Sequence, residues 1–101
     1  MEYVRVVSKK ILFKKAASHP DAKIALQVWL ETAKEADWKS LEDVRRAFPK
    51  TDMVGPLAIF DIKGNSYWLI VRMVFRVRKI YIKEFLTDAE YDKEKWKKWL
   101  L

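Results

Sequence analysis

The sequence predicts an α+β fold in which helices pack on one face of an antiparallel β-sheet, in the order β-α-α-α-β-β-β with a C-terminal turn or short helix. Three observations carry that expectation. Residues 57–85 read as three consecutive β-rich runs joined by short turns, the pattern of a meander. Residues 20–36 repeat small and apolar side chains at three-four spacing, the pattern of a helix with one buried face. No repeat, low-complexity stretch or linker divides the chain, so residues 1–101 read as one domain with one core.

Tyr3 to Val7 is a short strand with Val4 and Val6 on one side and Tyr3 and Arg5 on the other. Ser8 stands where its hydroxyl can cap the helix Lys9–Ala17. Ile11, Leu12 and Ala16 give that helix a narrow buried stripe, and Lys9, Lys10, Lys14 and Lys15 a cationic surface that is either solvation or a non-specific phosphate contact. Ser18, with Pro20 and Asp21 in the turn after it, marks the start of the second helix, Pro20–Ala36. Its face is Ala22, Ala25, Leu26, Trp29, Leu30 and Ala33, which makes Trp29 a core anchor and leaves Trp38 to close the same core. His19, the one histidine, reads as a surface or capping residue. Ser40 and Asp43 repeat the capping signature before a helix Leu41–Ala47 that faces inward with Leu41, Val44 and Phe48; Pro49 stops it. Lys50–Pro56 reads as a polar connection.

The meander runs Leu57–Ile62, a Lys63-Gly64-Asn65 turn, Ser66–Phe75 and Lys79–Phe85. Side chains alternate between the two faces of a strand. Ala58, Phe60 and Ile62, then Leu69, Val71, Met73 and Phe75, then Ile80 and Ile82 face inward. The other face carries Trp68, Ile70, Arg72 and Val74 on the second strand and Lys79, Tyr81 and Lys83 on the third. With Lys63, Arg76 and Arg78 at the strand ends, this is a row of cations interleaved with aromatic rings. Cations neutralise phosphates and rings stack on exposed bases, the combination that single-stranded RNA recognition needs. The competing reading is a solvated sheet face whose lysines discourage edge pairing.

Composition bounds the function. Twenty-one Lys and Arg against fourteen Asp and Glu give a net charge of +7, which suits a polyanionic or acidic partner. Zero cysteines and one histidine exclude disulfides and argue against zinc, and no metal or cofactor is expected. No apolar run approaches the ~20 residues of a membrane span and no signal-peptide core is visible, so the expectation is a soluble cytoplasmic protein away from the membrane.

Beyond the third strand, Thr87 and Glu90 have the spacing of a capping box. The tail that follows, KEKWKKWLL, puts Trp96, Trp99 and Leu100 on one side of a short helix docked on the core. Asp88 and Tyr91 lie within the cap region, either as parts of a structural helix start or as functional groups beside the basic face.

These residues carry a resemblance. Phe60-Asp61-Ile62-Lys63-Gly64-Asn65-Ser66-Tyr67, then Tyr81-Ile82-Lys83, then Leu86-Thr87-Asp88-Ala89-Glu90-Tyr91-Asp92-Lys93 resemble the HigB family of host-inhibition-of-growth toxins, within the RelE-like superfamily. Trp38 and the stretch from Asp43-Val44 to Phe48-Pro49 resemble it too. The resemblance implies a RelE-like toxin domain and an mRNA interferase that cuts mRNA on the translating ribosome. It also implies silencing by a cognate helix-turn-helix antitoxin (HigA-like), through which alone the toxin reaches operator DNA. The chemistry implied is metal-independent: a ribose 2′-OH attacks the adjacent phosphate and the 5′-oxygen leaves, which asks for a proton acceptor, a proton donor and cations.

Two positions depart from the family pattern. The family usually has histidine where this chain has Asp88, and arginine where it has Trp68 just after Gly-Asn-x-Tyr. An aspartate is no proton donor at neutral pH unless its pKa is raised, and a tryptophan does not neutralise phosphate. Arg72, four residues beyond Trp68 on the same strand face, is positioned to supply the cation. Arg72 and Lys83 are therefore assigned to the phosphate, Tyr91 to proton transfer or base stacking, and Asp88 to a base or orienting carboxylate. Lys63, Trp68, Arg76, Arg78, Lys79 and Tyr81 are assigned to RNA binding. The alternatives are a catalytically weakened protein that binds RNA or the ribosome without cutting, and a basic partner that only docks an acidic antitoxin.

Overall fold

The computed structural model describes residues 5–7 and 9–100. The Tyr3 and Val4 positions and the Ser8 cap lie outside them. The sheet has five strands in the order β1-β5-β4-β3-β2: β1 Arg5–Val7, β2 Asp52–Val54, β3 Leu57–Ile62, β4 Tyr67–Val74 and β5 Lys79–Thr87. Antiparallel pairing joins β2, β3, β4 and β5. The departure from an antiparallel sheet is β1, which adds to β5 in parallel, Val6 opposite Ile80. The parallel arrangement requires a crossover, and all the helices between β1 and β2 lie in it.

The polar connection expected at 50–56 contains a strand. Asp52–Val54 pairs with β3 through a tight turn at Gly55, whose φ is +58°. Pro49 before it and Gly55-Pro56 after it leave only three residues of β pattern, too few to read as periodicity. The Lys63-Gly64-Asn65 turn takes φ values of 56°, 57° and 68°. The Asp61 carboxylate steadies it by accepting from the Asn65 amide at 2.6 Å.

On one face lie α1 Lys9–Ser18, α2 Lys23–Glu35 and α3 Leu41–Ala47. The second helix begins differently from expectation. Ser18 ends α1, and Pro20–Ala22 forms a 3-10 turn with His19 at its cap and no side-chain cap bond. Asp21 is drawn away from capping because its carboxylate accepts from the Tyr67 hydroxyl at 2.8 Å and from Lys63 at 3.0 Å. At α3, Ser40 likewise makes no side-chain cap; Asp43 turns back instead to accept from the Lys39 amide.

The helical face buries Leu26, Trp29, Ala33 and Val44 against Phe60, Leu69, Val71, Ile80, Ile82 and Phe85. Trp29 meets Phe60 edge-on at 5.2 Å and Trp38 stacks near the same ring at 6.3 Å. The opposite face is also covered in part. Leu57, Ile59, Ile70 and Leu86 sit under Trp96, with Trp99 and Leu100 beside it, so a second apolar cluster forms outside the sheet. This cover is α4 Asp88–Asp92 and a 3-10 turn over Lys95–Leu100. Burying a tryptophan removes on the order of 200 Å² of apolar surface, which explains how so short a tail stays down. Among the described residues, no helix is long and apolar enough to cross a membrane.

A candidate RNA-contacting face

The outer side of β4 and β5 alternates as the pattern requires: Trp68 and Val74 are half-buried, Ile70 is buried and Arg72 is exposed. Arg72 stands opposite Leu57 on β3 and Tyr81 on β5. Among the described residues no carboxylate pairs with it. Its charge is therefore free to meet an anion.

Lys83 stands at a bulge. Ile70 pairs with Glu84 while Val71 pairs with Ile82, so Lys83 has no partner on β4. An extra residue of this kind bends a strand and re-aims its side chain. Strand alternation puts Lys83 on the outer side with Tyr81, its ammonium 5.0 Å from the centre of the Trp99 ring and 6.0 Å from that of Tyr81. Lys98 approaches the same Trp99 ring at 5.2 Å. The ring's negative face holds both cations in place without neutralising them. Trp99 and Lys98 belong to this face and were missed in the sequence, where Trp99 read only as core; the one signal was the spacing of the tail tryptophans.

The remaining positions separate into two groups. Lys79 lies half-buried on the outer row of β5, and Arg76 is exposed in the 3-10 turn Phe75–Val77, so both border the open face. Lys63 instead bridges to Asp21, and Arg78 forms an ion pair and hydrogen bond with Asp37 in the connection between α2 and α3. Those two cations are committed to holding turns. Arg78 needs the hold, since its φ of 56° is left-handed.

At the other end of β4, the two positions that depart from the family pattern meet. The Trp68 indole N–H donates to Asp88 Oδ1 at 2.9 Å. The Trp68 ring stacks on Tyr91 with centroids 4.7 Å apart and an interplanar angle of 22°. Tyr91 in turn stacks on Trp96 at 5.3 Å, and the Trp96 indole donates to the Tyr91 carbonyl at 3.1 Å. Both faces of the Tyr91 ring are thus occupied by Trp68 and Trp96. Burial first, and the charge of Asp52 second, push the Tyr91 phenol up. It keeps its proton at neutral pH.

The capping box reading of Thr87 and Glu90 is present in full. The Glu90 amide donates to Thr87 Oγ1 at 3.2 Å and the Thr87 amide donates to Glu90 Oε1 at 3.0 Å. The backbone bond from Thr87 holds the Glu90 carboxyl below its ordinary range. This cap fixes the start of α4 and so the placement of Asp88 and Tyr91. His19 packs against the Tyr67 ring at 5.1 Å and takes no part in the outer face.

Comparison with known proteins adds an independent line. A family model described as HigB_toxin, RelE-like toxic component of a toxin-antitoxin system, matches residues 22–94. An mRNA interferase HigB of Escherichia coli O6:H1 is 28% identical over 93 residues, covering 89% of this chain and 90% of that relative. The mRNA interferase toxin HigB of Escherichia coli K12 is 27% identical over 92 residues, covering 88% of each. A Shigella flexneri mRNA interferase HigB matches at the same level.

Proposed function

The chain belongs to the HigB family, RelE-like toxic components of toxin-antitoxin systems, and from that premise we propose that it is an mRNA interferase acting on ribosome-bound mRNA. The observation that carries this reading is the presence of an exposed, uncommitted Arg72 and of Lys83 on one sheet face. As the ribose 2′-OH attacks the adjacent phosphate, its proton passes to water, the O2′–P bond forms, the P–O5′ bond breaks, and negative charge gathers on the non-bridging oxygens. Fixed cations stabilise that charge more in the transition state than in the ground state, which lowers the barrier. Arg72 can meet two oxygens with its planar fork, and Lys83 supplies a point charge beside it. Tyr91, protonated at neutral pH, is the proton donor to the leaving 5′-oxygen. Asp88 orients the substrate from its place beside Trp68. Lys79, Arg76, Lys98 and Tyr81 guide the flanking backbone. A cognate helix-turn-helix antitoxin, HigA-like, restrains the toxin and carries it to operator DNA; the net charge of +7 favours fast capture by an acidic partner. The protein acts in the cytoplasm, where ribosomes are.

A second reading is favoured by one specific observation. The hydrogen bond between Trp68 and Asp88 occupies both positions at which the family pattern has a cation and a titratable imidazole. On this reading the protein holds RNA or the ribosome without cutting. Controlled expression followed by mapping of mRNA 5′ ends distinguishes the two. New ends in translated frames that vanish in Arg72→Ala and Lys83→Ala support the nuclease; growth arrest without new ends supports binding alone.

A further inference from the structure

The Trp68–Asp88 pair has more order than a loss of function requires. Trp68, Tyr91 and Trp96 form a continuous stack in which Tyr91 is the middle ring. Trp96 is the buried end, 3% exposed, and the half-buried Trp68 is the open end. Tyr91 covers one face of the Trp68 ring, and Trp68 keeps part of its surface open to solvent. The stack therefore backs the partly exposed Trp68 ring from behind with two further rings.

Asp88 stands at the edge of that surface. Its Oδ1 receives the indole N–H, which fixes the carboxylate close to the Trp68 ring edge, and its own amide donates to the Ser66 carbonyl at 3.2 Å. The Thr87–Glu90 box holds α4 from the other side without using Asp88. Oδ2 has no hydrogen-bond partner among the described residues. An ionised carboxylate is acceptor-only, so an anchored one at the rim of a stacking platform selects rings whose edge carries N–H donors.

We propose that Trp68 and Asp88 form a base-binding subsite for guanine in single-stranded RNA. Guanine is selected because its Watson–Crick edge offers two adjacent donors, N1–H and the N2 amino group, to one carboxylate while its purine ring covers Trp68. Adenine and cytosine offer a single amino group beside an acceptor nitrogen that the carboxylate repels, and uracil a single imino N–H between two carbonyls. Arg72, four residues along the same strand face, lies about 13 Å from Trp68 at the rise of a strand, so base and phosphate contacts fall on one bound strand. The inference rests on the RNA-contacting role proposed above and adds the base that is read.

The test uses the full chain and the all-deoxy trinucleotides TGT, TAT, TCT and TTT, which lack the 2′-OH and are not cleaved by its attack. Indole N–H resonances are followed by nitrogen-15 NMR, with Trp68→Phe assigning the Trp68 signal. TGT is expected to shift that signal and to bind about tenfold more tightly than TTT, the discrimination a bidentate pair supplies. In Asp88→Asn the indole bond is retained through the amide oxygen while the second acceptor becomes a donor, so the preference for TGT collapses. A Trp68 signal that no trinucleotide moves, or a TGT preference that survives Asp88→Asn, overturns the proposal. Binding that moves only the Trp99 indole signal, assigned by Trp99→Phe, without regard to base, also overturns it while leaving the proposed RNA contact of Arg72 and Lys83 intact.

Discussion

At the residue scale, the chemistry depends on which cations the fold leaves free. Six Lys and Arg are read in the sequence as one basic population at the meander, yet Lys63 and Arg78 hold turns through Asp21 and Asp37 while Arg72 stays open. Sequence periodicity gives the face of a residue, and this worked for Arg72, Tyr81 and Lys79. It does not give the partner, because Asp21 and Asp37 approach from segments far away in the chain. Replacing Arg72 or Lys83 by alanine is expected to reduce cleavage by 10²-fold or more, the usual order for a lost transition-state contact, with unchanged thermal unfolding. Thr87→Ala removes the hydroxyl that accepts from the Glu90 amide while leaving the Thr87 amide to donate to Glu90, and about 1 kcal/mol of stability in urea unfolding is expected to go with it. Glu90 adds a pH signature. Its folded-state pKa is lowered from 4.5, chiefly by the Thr87 backbone bond, so its contribution is present above 4.5 and is lost as pH falls through the lower folded value. Glu90→Gln retains a capping side chain but does not titrate. The stability gap between the two proteins is therefore expected to shrink below pH 4.5 in acid titrations followed by circular dichroism.

At the element scale, β3, β4, β5 and the three helices on one face were legible because each has a period or a punctuating residue. Leu57–Ile62 and Leu41–Ala47 have the ends the sequence suggested. The elements missed or misread obey no period: a three-residue strand between Pro49 and Gly55, a 3-10 turn in place of the first turn of a helix, and a parallel first strand. The bulge at Lys83 was invisible for the same reason, since one inserted residue shifts alternation too locally to detect. Its structural independence can be tested. Deleting Lys83 leaves Ile82 and Glu84 adjacent, matching the Val71 and Ile70 partners they already have. The deletion is expected to keep the fold, at a cost of about 1–2 kcal/mol, and to abolish cleavage. A misfolded product, seen as lost near-ultraviolet circular dichroism, contradicts this account of the bulge.

At the scale of the molecule, the sheet is a partition between two apolar clusters of unequal size, and the smaller one lies under the face proposed to contact RNA. The helical cluster contains Trp29 and the outer one Trp96, both buried. Truncating either to alanine is expected to cost about 3–5 kcal/mol. The Trp96 change removes the far end of the stack beneath Trp68 as well, so base contact should fall with stability, whereas loss of Trp29 lowers stability alone. The overall charge acts separately from both. Binding to single-stranded RNA should weaken with salt by about 0.7 in log–log slope per phosphate neutralised, and Arg72→Ala should remove one such increment. The most direct measurement of the central claim maps mRNA 5′ ends within minutes of inducing the protein in a bacterium, beside an Arg72→Ala control that folds. The expected result is new ends inside translated frames with the parent protein and none with the control. Equal ends from both proteins would contradict the role assigned to the outer sheet face.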